Sequence, residues 1–150
     1  MCLICARIDD IKQGRNPYFV AELNTGYVVL GDHQYFHGYT LFLCKLHDTE
    51  LFLLEPDFRS QFLFEMSVVA EAVTTAFGAE KMNYELLGNG DTHLHWHLFP
   101  RRNGDMGGHG MSGKGPVWWV PPEEMYDDVH RPSPKKLDSM RAGLRARLRV

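Results

Sequence analysis

Hydrophobic and polar positions alternate with a period of about two in the first third of the chain, which predicts β-strands. A turn at residues 24–26 and a polar loop at residues 31–38 separate three such stretches. Since the stretches are close together in sequence, an antiparallel meander is the economical arrangement. The predicted strands are residues 18–23, 27–30 and 39–46.

A spacing of three to four between apolar positions then predicts one long helix over residues 57–77, which Gly78 ends. A short helical turn is predicted earlier, over residues 3–11. Two more strands follow the long helix, at residues 82–87 and 93–99, and Pro100 is expected to stop the second. The buried face of the long helix consists of Phe58, Phe62, Met66, Val69 and Val73.

The composition changes after Arg102. Residues 103–116 contain six glycines in fourteen positions and no apolar period, so they are expected to form a mobile loop. Residues 116–122 are predicted to be extended and aromatic, and residues 135–149 a basic helix whose charges form a solvated face. The fold prediction is therefore an α+β domain, with a five-stranded antiparallel sheet, one long helix and an irregular C-terminal extension over residues 103–150, packed on the same domain.

Composition and charge narrow the class of protein. A chain of 150 residues with 44% hydrophobic and 23% charged residues is typical of one soluble globular domain. A formal net charge of −3 argues against general binding to nucleic acids or anionic membranes. No apolar run approaches the roughly 18 residues of a membrane span. Residues 1–10 carry Arg7 and two aspartates where a secretory signal needs apolar residues, so the predicted compartment is the cytoplasm.

Three alternating histidines carry the chemistry of the sequence. Side chains alternate between faces along a strand, so His93, His95 and His97 are predicted to share one face, about 6.7 Å apart. Three convergent imidazoles can hold a catalytic zinc ion that keeps an open position. Alternatively, one imidazole can attack a phosphorus atom while the others orient groups and handle protons. The turn at residues 88–91 precedes the first histidine, and its backbone N–H groups could line an anion site. Such a site would favour the reaction at phosphorus over the catalytic zinc, but an ordinary hairpin turn is the alternative interpretation of these residues.

The cysteines offer a second candidate site. Three cysteines are too few for a disulfide framework, and Cys44 is expected to be a buried apolar residue of a strand. Cys2 and Cys5 form a Cys-x-x-Cys pair, which in a reducing compartment indicates metal binding or redox chemistry, or else two buried thiols.

The pattern His-φ-His-φ-His-φ-φ of residues 93–99 resembles the signature of the histidine-triad family of nucleotide hydrolases and transferases, in particular the branch that resembles diadenosine polyphosphate hydrolases. Residues 38–47, with Gly-Tyr-Thr-Leu and a Lys-x-His ending, resemble the family's Gly-His-Thr-Leu strand, and residues 83–89 resemble the strand before the triad. The resemblance covers residues 1–102, which are the predicted histidine-triad domain. It implies a sheet shared across a homodimer and hydrolysis of nucleotidyl phosphates such as diadenosine polyphosphates.

The resemblance also implies roles for the triad. The middle histidine, His95, is the nucleophile that forms a covalent nucleotidyl-histidine, which water then resolves. His97 lies at the phosphate and contributes hydrogen bonds or proton handling, and His93 orients the nucleophile or has a structural role. These roles agree with the chemistry of imidazole, which is nucleophilic when neutral near pH 7.

Nucleotide-binding positions follow from the same resemblance. Asn89 matches a residue that contacts phosphate, and Asp91 and Thr92 lie in a turn that is shorter than the family's. Asp32 lies near the ribose-binding acidic position, where a loop-capping aspartate is the alternative. Tyr39 replaces the usual histidine and can donate to a phosphate oxygen without a positive charge. We expect His37, two residues earlier, to point to the same face and compensate.

Zinc-containing members of the family use a Cys-x-x-Cys pair, the Lys-x-His histidine and the first triad histidine. The matching residues here are Cys2, Cys5, His47 and His93. Two thiolates and two imidazoles form a closed tetrahedral set, which suits structural zinc.

Two other functions remain open from the sequence. A nucleotide-binding or protein-interaction module with little catalysis is compatible with Tyr39 at the histidine position. A zinc hydrolase with three histidine ligands is compatible with the triad. The pair Trp118 and Trp119 is expected to cover the nucleotide base or a dimer seam.

Overall fold

A five-stranded antiparallel sheet with the strand order β1-β2-β3-β5-β4 organises the chain. The computed structural model describes residues 1–110 and 113–148. The strands are β1 (Phe19–Glu22), β2 (Gly26–Leu30), β3 (Thr40–Cys44), β4 (Lys81–Glu85) and β5 (His95–Arg101). The α-helices of the described residues are α1 (Leu3–Lys12), α2 (Pro56–Phe77), α3 (Pro122–Met125) and α4 (Pro134–Leu148). The predicted α+β fold is confirmed, and β1, β2 and β3 pair as the predicted meander.

The long helix α2 covers one face of the sheet. Phe62, Val69 and Val73 are fully buried in the main hydrophobic cluster, which they share with Phe42 of β3 and Leu98 of β5. Pro56 occupies the first turn of the helix, where its missing N–H is not needed. Gly78 ends the helix with φ of 72°, a conformation that glycine adopts without a steric penalty.

The C-terminal helix α4, which the sequence predicts over residues 135–149, packs on the same core as the long helix. Its apolar residues Leu137, Met140, Leu144 and Leu148 belong to the cluster formed by α2 and the sheet. Two arginines of α4 also bond to strand β1. Arg141 Nε donates to the carbonyl of Phe19 at 2.6 Å, and Arg145 Nε donates to the carbonyl of Val20 at 2.7 Å. The prediction that the charges form a solvated face is wrong for Arg141, which is half-buried, whereas Arg145 is exposed as predicted. The last residue of the predicted helix, Arg149, lies outside the described residues.

Strand β5 begins and ends two residues later than predicted. His93 and Leu94 precede the ladder, and the Leu94 N–H donates to the Asp48 carbonyl at 2.9 Å. Pro100 does not stop the strand and lies opposite Met82 of β4. The pairing of β5 with β3 ends at Leu98, so the missing N–H of Pro100 removes no bond to β3.

The opposite face of the sheet carries two smaller hydrophobic clusters. One joins Ile4 and Ile8 of α1 to Tyr27, Val29 and Leu43 of the sheet. The other joins Tyr39 and Phe99 to residues of the C-terminal extension, which include Met106, Val117, Val120 and Met125. Residues Val117–Trp119 form a 3₁₀ turn and not the extended segment that the sequence predicted. The face of β5 that carries His95 and His97 lies between these two clusters.

Within the part of the chain that the structure describes, no helix combines the length and the apolarity that a membrane crossing requires.

Candidate active site

His95 lies at the first position of β5 and is held in one tautomer by the backbone. Its Nδ1 atom is 2.7 Å from the carbonyl oxygen of His93, and its side chain is only 6% exposed. Because a carbonyl oxygen can only accept, Nδ1 carries the proton and Nε2 keeps a free lone pair. This is the state that a nucleophilic imidazole requires.

His97 follows on the same face of β5, with its ring centroid 4.8 Å from that of His95. Its Nδ1 atom is 2.6 Å from the hydroxyl oxygen of Tyr39. Burial, together with the nearby His95, lowers the pKa of His97 to about 4. His97 is therefore a neutral side chain near pH 7.

A cavity of about 300 Å³ opens in front of the two histidines. It gathers five of the predicted site residues, which are Asp32, Tyr39, Asp91, His95 and His97. A second cavity, also of about 300 Å³, lies on the other side of His95 and is lined by Asn89 and Thr92. His95 lines both cavities, so residues of either cavity can reach a ligand that binds beside it.

Asp32 lines the first cavity as half of an ion pair. Arg7 donates to both carboxylate oxygens, from Nη1 to Oδ1 at 3.0 Å and from Nη2 to Oδ2 at 2.9 Å. A bidentate pair of this kind fixes the orientation of the carboxylate while lone pairs remain for a ligand. The sequence interpretation did not identify Arg7, although helical spacing places it one turn after Leu3, which lines the same cavity.

Trp118 is a second residue near the histidines to which the sequence assigned no definite role. Its ring meets that of His97 edge-on, with 6.2 Å between centroids. Its Nε1–H donates to Glu85 Oε2 at 2.6 Å, and Glu85 lies opposite His97 in the β4–β5 pairing. No local pattern signals this contact, because it depends on how the glycine-rich segment folds back onto the sheet.

His37 does not take part in the site, and the prediction that it compensates for Tyr39 is wrong. Its ring packs edge-on against Phe77 with 5.3 Å between centroids, and it lines neither cavity. Gly38 has φ of 91°, so residues 37 to 39 do not follow the alternation of a strand.

Cys2, Cys5, His47 and His93 form a separate cluster at the start of α1. One potential ligand atom from each residue lies within 4.8 Å of the others. His93 Nδ1 is 3.5 Å from each of the two sulfur atoms and 3.2 Å from His47 Nδ1. His93 Nε2 donates to the Cys44 carbonyl at 2.8 Å, so Nδ1 keeps the lone pair that a metal ligand needs. Two thiols and two imidazoles fit the donor set of tetrahedral zinc, so the cluster can hold a metal ion.

This geometry does not favour a zinc ion held by the three alternating histidines. His93 Nδ1 faces the two cysteines, whereas the Nδ1 atoms of His95 and His97 contact a carbonyl and a phenol. Among the described residues, the triad is therefore divided between two sites.

Comparisons with known proteins identify the family and the fold. The family model described as HIT domain matches residues 18–104. No curated protein sequence matches the chain. A histidine triad protein from Marinobacter aquaeolei VT8 is 26% identical, with a TM-score of 0.71 over 87% of this chain and 88% of that one.

Two further solved structures share the fold at lower identity. A histidine triad protein from Bradyrhizobium japonicum is 21% identical, with a TM-score of 0.72 over 87% of this chain and 89% of that one. A Zn-bound histidine triad family protein from Mycobacterium smegmatis is 23% identical, with a TM-score of 0.64 over 99% of this chain and 93% of that one.

Proposed function

The chain belongs to the HIT domain family, and from that premise we propose that it is a nucleotidyl-phosphate hydrolase or transferase that acts through a covalent intermediate on His95. The observation that carries the proposal is the bond from His95 Nδ1 to the His93 carbonyl, which leaves Nε2 free as a nucleophile. The substrates are dinucleoside polyphosphates or related nucleotide conjugates, as in the branch that resembles diadenosine polyphosphate hydrolases.

The reaction proceeds in two displacements. The Nε2 lone pair of His95 attacks the α-phosphorus, and the bond from phosphorus to the leaving group breaks with its electron pair on the leaving atom. Water then attacks the same phosphorus, the P–N bond returns its electrons to Nε2, and one water proton passes to solvent. In a transferase reaction, another hydroxyl or phosphate oxygen replaces water.

The two cavities suggest how the substrate is oriented. His97 lies next to the nucleophile and donates to a non-bridging phosphate oxygen. Asp32, held by Arg7, accepts from the ribose hydroxyls, and Asp91 lines the same cavity. Asn89 and Thr92 approach the phosphate from the second cavity.

We also propose that the cluster of Cys2, Cys5, His47 and His93 binds zinc. The donor set and the fold shared with a Zn-bound relative support this assignment. All four coordination positions would be filled by protein, so the ion supplies a structural link and no open position for a reactant. The proposed compartment is the reducing cytoplasm, where thiols such as Cys2 and Cys5 are available as metal ligands.

A homodimer is the proposed assembly. The strand β4 lies at one edge of the sheet, with β5 as its only neighbour among the described strands. Its Tyr84 is half exposed, as are Phe64 of α2 and Leu87 beyond β4. Pairing of two β4 strands would continue the sheet across the two subunits.

The central experiment is a single-turnover reaction with diadenosine tetraphosphate, followed by mass spectrometry of the quenched protein. We expect a mass increase of one adenylyl group on His95. His95→Ala should lower turnover by about 10⁴-fold or more and still bind the nucleotide, because only the nucleophile is removed.

The matched control is His109→Ala, since His109 lies in the extension and bonds to Glu124. This variant should turn over like the original protein. Undiminished hydrolysis by His95→Ala would reject the nucleophile, and binding without any product by the unmodified protein would instead favour a nucleotide-binding module.

A further inference from the structure

Tyr39 stands at the position where the family has histidine, and its hydroxyl contacts the side chain of His97 at the wall of the first cavity. We propose that Tyr39 is a positioning residue that holds His97 as a neutral hydrogen-bond donor, and that the site consequently selects phosphoanhydrides over phosphoramidates. This inference rests on the proposed function, and it names the substrate class within it.

The tyrosine ring is held in place by its neighbours. Tyr39 is 9% exposed, and its ring stacks on that of Phe99 with 4.2 Å between centroids and 4° between planes. Phe99 is itself buried against Phe36, with 5.7 Å between ring centroids. Because the ring cannot swing away, its hydroxyl stays 2.6 Å from His97 Nδ1.

The direction of this hydrogen bond follows from a count of possible partners. Either the phenol donates to Nδ1, or Nδ1–H donates to the phenol oxygen. In the second case the phenol proton would need another acceptor, and no other hydrogen bond of the Tyr39 hydroxyl exists among the described residues. A buried donor without an acceptor is costly, so the phenol donates. His97 therefore carries its own proton on Nε2, the nitrogen on the opposite side of the ring.

His97 can donate a hydrogen bond, but it is a poor source of a proton for a leaving group. Burial next to His95 lowers the pKa of His97 to about 4, so the cationic form is rare near pH 7. A relay in which His97 gives up its Nε2 proton and takes one from Tyr39 would leave a buried tyrosinate. Burial raises the pKa of Tyr39 well above its ordinary value, which opposes that relay. Two other groups of the cavity wall that can carry a proton are engaged elsewhere. Arg7 is paired with both oxygens of Asp32. His33 Nε2 lies 3.2 Å from Asp128 Oδ1.

Leaving groups differ in whether they need that proton. When a phosphoanhydride is cleaved, the P–O bond breaks with its electron pair on the oxygen of a phosphate, whose conjugate acid has a pKa of about 6. This oxygen departs as an anion, and no proton is transferred to it. When a phosphoramidate is cleaved, the P–N bond breaks with its electron pair on nitrogen, which must gain a proton to depart as a neutral amine and not as a strongly basic amide anion. A site without a ready acid therefore cleaves the anhydride and is slow on the phosphoramidate.

The test compares two substrates with the same adenylyl group. We expect kcat/KM for diadenosine tetraphosphate to exceed that for an adenosine 5′-phosphoramidate of an alkyl amine by about 10²-fold or more, the usual contribution of a general acid. Tyr39→His restores an imidazole that can take a proton from solvent, so it should reduce this ratio by about tenfold or more.

Tyr39→Phe keeps the stacked ring and removes only the hydroxyl. It should lower kcat for the anhydride with little change in KM, and it should not improve cleavage of the phosphoramidate. Tyr35→Phe is the matched control, because Tyr35 packs against the same cluster and its hydroxyl does not contact His97. This control should keep the original ratio.

An independent readout is the ¹⁵N NMR spectrum of the histidine side chains, which reports the tautomer without any turnover. His97 should be protonated on Nε2 in the original protein and should populate both tautomers in Tyr39→Phe. A His97 protonated on Nδ1, equal rates on the two substrates, or an unchanged ratio in Tyr39→His would each overturn the role of Tyr39.

The failure of this inference and that of the proposed function give different results. If neither substrate is cleaved and no adduct forms on His95, the proposed function fails and the inference falls with it. If the adduct forms equally fast from both substrates, the proposed function stands and only the selectivity is wrong.

Discussion

At the residue scale, His95 and His97 are held in opposite tautomers by opposite kinds of partner. A carbonyl oxygen accepts from Nδ1 of His95, whereas a phenol donates to Nδ1 of His97. The Nε2 atoms consequently differ, one as a lone-pair nucleophile and the other as an N–H donor. Two identical side chains two residues apart thus acquire distinct chemistry from their neighbours.

The lowered pKa of His97 has a consequence for stability. Its pKa falls from 6.5 to about 4 on folding, so the unfolded chain takes up this proton first as the pH decreases. His97 therefore contributes no penalty above pH 6.5, and it destabilises the fold progressively between about pH 6.5 and pH 4. Relative to His97→Asn, we expect the original protein to lose on the order of 2 kcal/mol more unfolding free energy between pH 7 and pH 4.5.

Urea unfolding of both proteins at the two pH values measures this difference. The subtraction removes contributions that the two proteins share, including any from the cysteine and histidine cluster. His95, the neighbour that also lowers the pKa of His97, is retained in both proteins. Equal losses in the two proteins would contradict a buried, neutral His97.

At the element scale, patterns predicted the strands and the main helix better than the contacts between distant segments. Alternation placed His95 and His97 on one face of β5, because the ladder with β3 and β4 enforces the period of two. The same alternation did not predict the position of His93 correctly, because residues 93 and 94 lie outside the ladder and the Leu94 N–H bonds to the Asp48 carbonyl. It could not indicate Trp118, because the glycine-rich segment before it has no period that relates it to β5.

Helix α1 joins the proposed zinc site to the cavity. Cys2 and Cys5 lie at its start, and Leu3, Ile4 and Arg7 of the same helical turns line the cavity in front of His95. A zinc ion would therefore hold the wall that contacts the nucleotide, while His95 and His97 are held independently by β5. We expect zinc removal with a chelator to raise KM by about tenfold and to change kcat much less.

Metal analysis, steady-state kinetics and amide hydrogen exchange in α1 check this expectation together. Cys5→Ser should lose the metal, and Cys44→Ala is the matched control that should retain it, because Cys44 contributes only its carbonyl to the cluster. If protein purified without added metal contains much less than one zinc ion per chain, the proposed zinc site is wrong. A fall in kcat at constant KM would contradict the division of labour between α1 and β5.

At the scale of the whole molecule, the sheet separates the main hydrophobic core from the candidate active site. The face toward α2 and α4 holds the main hydrophobic cluster, and the other face carries the cavity between two smaller clusters. The C-terminal extension contributes to both faces, since α4 packs in the main cluster and Val117–Trp119 lies near His97. Residues beyond the family match, which ends at 104, are thus part of both layers.

The proposed dimer is tested by sedimentation equilibrium. The mass should be twice 17.2 kDa at micromolar concentration, because β4 offers an unpaired edge with Tyr84 exposed beside it. Tyr84→Asp should shift the equilibrium to the monomer. Val129→Asp is the control, since Val129 is also an exposed apolar residue, with 77% of its side chain exposed, and it belongs to the extension and not to β4. A species of 17.2 kDa at all concentrations would contradict the dimer.

The two arginines of α4 that bond to β1 also limit how many copies can assemble. Because Arg141 and Arg145 occupy the carbonyls of Phe19 and Val20, this edge of the sheet is capped within the chain. In the proposed dimer each molecule would then pair through the edge at β4 alone, and such pairing would be self-terminating. Growth into a fibril by successive strand addition would require α4 to detach from β1 first. The C-terminal helix is therefore expected to inhibit polymerisation.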